Sequence, residues 1–233
     1  MTAGRAHIVF SPVAAAPPIP EPASCASSSA KRAVDIAVAA LALLVFAPVF
    51  AVIAIAIRLS SPGPVLFRQP RIGLGGRPFT VLKFRTMRAG ASDASHREFV
   101  STQVSSTRDA RTDSGVFKLV NDDRVTRVGR FLRRTSLDEL PQFWNVLRGE
   151  MSVVGPRPPL EYEIALYEAW QLERLTARPG ITGLWQVMGR NRLTYHQMCK
   201  LDVRYVRQWS LIGDVVIMLK TPWVMLTNSG KAA

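Results

Sequence analysis

The chain has 233 residues, long enough for one catalytic domain with a sizeable core and too short for two once its segments are assigned. It carries 30 Lys and Arg against 17 Asp and Glu, a net charge of +13 that points to a polyanionic partner: nucleic acid, anionic lipid or a phosphorylated substrate. Cys25 and Cys199 have no neighbour at metal-ligand or redox spacing, so they read as reduced thiols in a cytosol-facing protein. His7, His96 and His196 are equally scattered, and a zinc site has little support.

Residues 1–30 are rich in Ala, Pro and Ser without periodicity, which predicts a disordered tail. Residues 31–58 hold an uncharged apolar run from Ile36 to Ile57, roughly 22 residues and long enough to cross a bilayer. Pro48 falls near its middle, where the missing N–H and the ring disrupt a helix. A bend there leaves two arms of about 12 residues, each reaching ~18 Å, about one leaflet. Lys31 and Arg32 precede the run, and Arg58, Arg68, Arg71 and Arg77 follow it. A helix that enters, bends and returns keeps both basic sets in the cytoplasm, so re-entry is favoured over spanning.

Residues 59–233 carry the remaining elements. Pro64–Gln69 and Phe79–Arg85 read as short strands joined through Gly73, Gly75 and Gly76, and strand alternation puts Lys83 and Arg85 on one face. That glycine cluster lacks dinucleotide-binding spacing, and no Walker-type loop occurs. Ala89 to Val116 is polar and reads as a loop or weak helix. Helical patterns resume at Leu140–Leu147, Leu160–Thr176 and Tyr195–Gln208. Leu211 to Leu226 carries Asp214 and Lys220 between Trp209 and Trp223, the pattern of an interfacial amphipathic helix, with an ordinary core helix as the alternative. The fold class is α+β, mostly helical, with a small β-hairpin.

The most informative stretch runs from Ser136 to Pro158. Asp138 and Glu139 open a predicted helix behind Arg124, Arg127, Arg130, Arg133 and Arg134. Ser136 with Glu139 fits a capping box, while Pro141 prefers the first helical turn and would make Asp138 the cap. The competing reading is chemical. A helix N-terminus suits a phosphate, nearby cations offset charge as a phosphoryl group moves, and a carboxylate there can act as a covalent nucleophile. Arg157, between Pro156 and Pro158, sits on stiff backbone suited to bidentate phosphate contact. Arg178–Arg190 adds two cations and glycines that permit close approach to a ligand.

These residues carry a family resemblance. Lys31-Arg32 with Asp35, Lys83 to Met87, Ser136–Pro158, Arg178–Arg190 and Leu201 to Val206 occur in the order found in bacterial sugar transferases of the small monotopic phosphoglycosyl transferase type. Among these the chain is most similar to exopolysaccharide-initiating members, from about Lys31 to Thr227. The resemblance implies that Asp138 attacks the β-phosphate of a UDP-sugar, releases UMP and passes the phosphosugar to polyprenyl (undecaprenyl) phosphate. It implies Mg2+ close to Asp138, with Glu139 assisting the nucleophile, the acceptor or the metal. It also implies phosphate and nucleotide contacts from Lys83, Arg85, Arg157 and Arg190, and a re-entrant helix at the cytosolic face of the bacterial inner membrane. Many members have Ser before the bend proline; this chain has Ala47. The rivals are a membrane-tethered basic module binding nucleic acid or anionic lipid, and direct sugar transfer with release of UDP. No nucleic-acid motif supports the first.

Overall fold

The computed structural model describes residues 18–88, 124–189 and 193–227. Helix α1 (Ser29–Val45) is capped by Ser28, whose Oγ accepts from Lys31 N at 3.2 Å. Helix α2 (Ala47–Ser60) follows after a break at Phe46, with Pro48 in its first turn and a bend of 60° between the two helices. The bend falls just before the proline rather than at it. Pro48 has no N–H for the Leu44 carbonyl and its ring crowds that carbonyl, so the preceding turn opens while the proline starts a new helix without strain. Among the described residues no single helix is long and apolar enough to cross a membrane; α1 and α2 pass that test only together.

Strands β1 (Leu66–Ile72) and β2 (Pro78–Phe84) pair antiparallel, Leu66 opposite Phe84 and Ile72 opposite Pro78. Gly75 at φ 64° and Gly76 at φ 76° make the turn. β1 runs past its predicted end at Gln69 because in a two-stranded sheet Pro70 can present its donor-less face to the open edge.

Beyond the hairpin come α3 (Arg127–Thr135) and α4 (Gln142–Leu147), then a short parallel pair, β3 (Ser152–Val154) with β4 (Gly180–Thr182). The described residues end with α5 (Leu184–Met188), α6 (Tyr195–Arg207) and α7 (Leu211–Thr227). Thr194 and Gln197 form a capping box that starts α6. The helix predicted over Leu160–Thr176 is not continuous. One turn, Glu161–Ile164, is followed by a 3-10 stretch, Ala169–Thr176, which Glu168 and Gln171 cap by reciprocal bonds. Local capping competes with the α-helical ladder at this break.

The tail predicted over residues 1–30 also needs correction. Residues 1–17 lie outside the described residues, but Ser24–Ser27 is a helical turn. Cys25 there is buried, Ala23 N donates to Thr176 O at 2.9 Å, and Arg178 Nη1 donates to Ala26 O at 2.7 Å. Burial pushes the Cys25 thiol above its ordinary pKa, as expected of a packing residue.

α1 and α7 are pinned to β3 by buried polar contacts. Lys31 Nζ lies 2.7 Å from Asp214 Oδ2 and donates to Val154 O at 3.0 Å. Tyr205 OH reaches Asp214 Oδ1 at 2.8 Å, and Trp209 Nε1 reaches Asp214 Oδ2 at 2.9 Å. Asp35 Oδ1 accepts from Ser152 Oγ and Val153 N, both at 2.9 Å. Charge therefore points inward, while Leu41, Leu44, Val52, Ile55 and Leu59 on α1 and α2, and Ile212, Leu219 and Trp223 on α7, are exposed. This inverts the ordinary amphipathic arrangement.

Gly129 lets α3 lie against Thr86, since a Cβ there would sit 2.0 Å from Thr86 O. Gly129→Ala is expected to lower stability by about 1–3 kcal/mol through overpacking against backbone, measured as a fall in the thermal midpoint.

Candidate active site

Between the hairpin, α3 and β4 lies a cavity of about 320 Å³. Lys83, Arg133, Asp138, Glu139, Gln142 and Arg157 contribute to its lining. The acidic pair reaches it through a local device. Ser136 adopts φ 56° and ends α3, and a 3-10 turn, Leu137–Glu139, then carries both carboxylates into the cavity wall ahead of α4. The Ser136–Glu139 capping box does not form: Ser136 closes the helix before it and makes no side-chain cap bond. Pro141 does sit at the entry to α4.

Glu139 Oε1 meets Lys83 Nζ at 3.0 Å, joining the acidic turn to β2. Asn145, almost fully buried, holds that register. Its Oδ1 accepts from Leu82 N at 3.0 Å, and its Nδ2 donates to Thr80 O and Glu150 Oε2, both at 2.7 Å. Arg133 Nε donates to Thr86 Oγ1 at 2.9 Å, which brings a second cation beside the pair.

Arg157 is held at three points. Its backbone N donates to Asp202 Oδ2 at 3.2 Å, its carbonyl accepts from Arg174 Nη2 at 3.2 Å, and its Nη1 meets both oxygens of Glu163 at 3.2 and 3.0 Å. Glu163 is 0% exposed. Burial alone would raise its pKa, but Arg157, and then Arg71, outweigh it and hold the carboxyl below its ordinary value. Behind it, Tyr195 OH donates to Glu163 Oε2 at 2.9 Å, Tyr195 and Tyr167 hydroxyls meet at 2.7 Å, and Arg174 Nη1 donates to Tyr167 OH at 2.7 Å. Arg174 Nη2 closes the circuit on Asp202 at 2.8 Å. Arg71 also lines the cavity and donates to Pro158 O at 2.9 Å; burial and the neighbouring Arg157 lower its pKa to about 10.

Lys83, Asp138, Glu139 and Arg157 are thus brought together, and Arg85 is not. Backbone pairing still reaches Arg85, whose N donates to Val65 O at 2.9 Å, but its guanidinium is engaged away from the cavity. Arg85 donates instead to Ser61 O at 2.7 Å and Pro62 O at 2.8 Å, clamping the chain where α2 ends. Arg190 lies outside the described residues. Gln142, Asn145 and Glu163 were not singled out by sequence, and Arg71 and Arg133 only as members of basic runs. No group of three or more His, Cys, Asp or Glu forms a metal cluster among the described residues.

A family model described as bacterial sugar transferase matches residues 26–228. The chain is 46% identical over 200 residues to the exopolysaccharide production protein ExoY of Rhizobium meliloti, covering 85% of this chain and 87% of that protein. It is 45% identical over 206 residues to the UDP-glucose:undecaprenyl-phosphate glucose-1-phosphate transferase of Caulobacter vibrioides, covering 85% and 70% respectively. It is 43% identical over 208 residues to an uncharacterized sugar transferase of Haemophilus influenzae, covering 89% of this chain but 43% of that longer protein. With the match extending over all of the helices and the cavity, the chain belongs to the bacterial sugar transferase family.

Proposed function

We propose that the chain is a phosphoglycosyl transferase that moves a sugar 1-phosphate from a UDP-sugar to polyprenyl phosphate, an early membrane step of exopolysaccharide synthesis. The observation that carries this reading is the acidic turn itself: Asp138 and Glu139 in the wall of a cavity that Lys83, Arg133 and Arg157 also line. Anionic substrates match that lining, and the relatives named for UDP-glucose and undecaprenyl phosphate support the substrate pair.

In the first step an Asp138 oxygen attacks the β-phosphorus. A P–O bond to Asp138 forms, the bond from the β-phosphorus to the bridging oxygen breaks, and UMP leaves with that oxygen and the electron pair. In the second step a phosphate oxygen of the polyprenyl acceptor attacks the same phosphorus and Asp138 leaves as free carboxylate. Lys83 and Arg133 hold the anionic groups in position and offset their charge, and Arg157, fixed by Glu163 and Asp202, presents its guanidinium without reorganisation. Glu139, tied to Lys83, orients that ammonium at the mouth of the acidic turn.

Asp138 and Glu139 also suit Mg2+, which takes one or two protein carboxylates and completes its shell with water and substrate phosphate oxygens. When bound there, Mg2+ would neutralise charge on the diphosphate as an anionic nucleophile approaches.

The bent α1–α2 pair is read as re-entrant, lying in the inner leaflet of the bacterial cytoplasmic membrane with both ends cytosolic. Support comes from the apolar surface exposed on α1, α2 and α7 and from basic residues at both ends, Lys31 and Arg58. In inverted and right-side-out vesicles, Ala30→Cys and Ser60→Cys are expected to react with an impermeant thiol reagent from the same, cytoplasmic side. Reaction from opposite sides would make the pair a spanning element.

The activity is tested by product identity. UDP-sugar with polyprenyl phosphate is expected to yield UMP and polyprenyl diphosphate-sugar. UDP as the nucleotide product would replace this reading with direct glycosyl transfer, and absence of turnover with a panel of UDP-sugars would favour a binding module.

A further inference from the structure

Helix α3 has two unlike faces. Leu132 is buried with Ile53 and Ile57 of α2 and Phe84 of β2, Val128 packs against that cluster, and Gly129 lies on Thr86. Arg127, Arg130, Phe131 and Arg134 are all exposed and form one stripe at i, i+3, i+4 and i+7. The helix holds no acidic residue, and among the described residues no carboxylate forms an ion pair with these three arginines. Phe131 is 59% exposed in their midst.

Helical spacing orders the stripe. Phe131 is three residues from Val128 and falls on the edge beside the α2 cluster, while Arg130 is three residues from Arg133 and falls on the edge beside the cavity. From α2 to the cavity, α3 therefore presents Phe131, then Arg127 and Arg134, then Arg130, then Arg133.

α3 packs where the apolar pair ends. Ile57 stands only ~5 Å along the axis from the end of α2 at Ser60, and Arg58 lies in the same last turn. The other arm repeats the arrangement. α4 packs against α1, where Arg32 donates to Val146 O at 2.7 Å and Leu147 O at 2.9 Å, and Trp144 of α4 is 51% exposed. Exposed aromatic rings beside arginines suit the headgroup layer of a bilayer.

Resting on the re-entrant reading of α1 and α2, we propose that the outer face of α3 docks on anionic phospholipid headgroups of the bilayer that holds α2. Phe131 enters the interface beside α2, and Arg127, Arg130 and Arg134 take headgroup phosphates through charge-assisted hydrogen bonds. A soluble polyanion such as RNA would match the arginines but not their place against the end of α2. Docking of this face would hold the mouth of the cavity, with Arg133, close to the layer in which a lipid phosphate lies.

Full-length enzyme in nanodiscs of phosphatidylcholine, alone or with about one third phosphatidylglycerol, tests the assignment. Cys25 and Cys199 are buried, so a fluorophore on Phe131→Cys reports from one exposed thiol. Lipid carrying a headgroup nitroxide is expected to quench this probe at least about threefold more in the phosphatidylglycerol discs. Combining Arg127→Gln, Arg130→Gln and Arg134→Gln should erase the difference. Equal quenching in both lipids, a difference that survives the triple variant, or an equal response of the probe to single-stranded RNA overturns the proposal. A matching probe on Leu44→Cys, near the bend, reads insertion of the apolar pair through acyl-chain nitroxides. Quenching there beside equal quenching at position 131 in both lipids removes the α3 assignment alone, and no quenching there removes the membrane reading beneath it.

Discussion

Asp138→Asn is expected to lower turnover by at least about 1,000-fold, because the amide keeps the shape of the side chain and removes the nucleophile on which both half-reactions depend. Its neighbour provides the contrast. Glu139→Gln loses the charge that meets Lys83 at 3.0 Å but leaves the nucleophile, so a loss of about 10–100-fold is expected. Assayed side by side for UMP release, the two should separate by at least an order of magnitude. Equal losses would mean that the carboxylates act as one unit, and a greater loss in Glu139→Gln would move the nucleophile to position 139. The local geometry makes the difference sharp: the left-handed Ser136 and the 3-10 turn bring both residues to the cavity, while Glu139 is the one tied to β2.

Glu163→Gln is expected to be the most damaging single change away from the reacting groups, lowering stability by about 3–5 kcal/mol. Arg157, Arg71 and Arg174 would then face a buried position without its carboxylate. Replacing both members of the closest pair, Arg157→Met with Glu163→Leu, should recover a substantial part of that loss while abolishing the phosphate contact, so stability and activity move in opposite directions. The pH dependence carries the same signature. A carboxyl held below its ordinary pKa contributes stability that is complete above the unfolded value of about 4.3 and is lost as pH falls through the lower folded value. Unfolding curves of Glu163→Gln should therefore lie lower near neutral pH and show a flatter acid limb below about pH 4. A variant with unchanged stability at pH 7 would contradict the brace described for Arg157.

Features encoded by neighbouring residues were readable in the sequence. Pro48 marks the division of the apolar run, the two glycines at positive φ mark the hairpin turn, and α6 and α7 begin at Tyr195 and Leu211, where the apolar patterns put them. What escaped depended on contacts distant in sequence. Nothing in the spacing of Glu163 tells that Arg157, Tyr195 and Arg71 converge on it, and that convergence accompanies the break in a segment that otherwise reads as one helix. The β3–β4 pair is three residues per strand, too short for alternation to show, and depends on close backbone approach at Gly155, where a Cβ would meet Arg178 O at 2.3 Å. Arg85 was misplaced because the carbonyls that take its guanidinium, Ser61 O and Pro62 O, are more than twenty residues away in sequence. The family motifs pointed to Asp138 and Glu139, which both line the cavity, but only the fold puts Arg133, Arg71 and Gln142 around it and α7 along its side.

The central claim is that Asp138 carries the phosphosugar, and it is tested most directly in the absence of any acceptor. Purified enzyme mixed with a UDP-sugar labelled in the β-phosphate is expected to release one equivalent of UMP, and label is expected to remain on the protein at Asp138. Addition of polyprenyl phosphate should then discharge the label into lipid. Release of UDP, or appearance of labelled lipid only when all three components are mixed with no labelled protein ever trapped, would contradict the account.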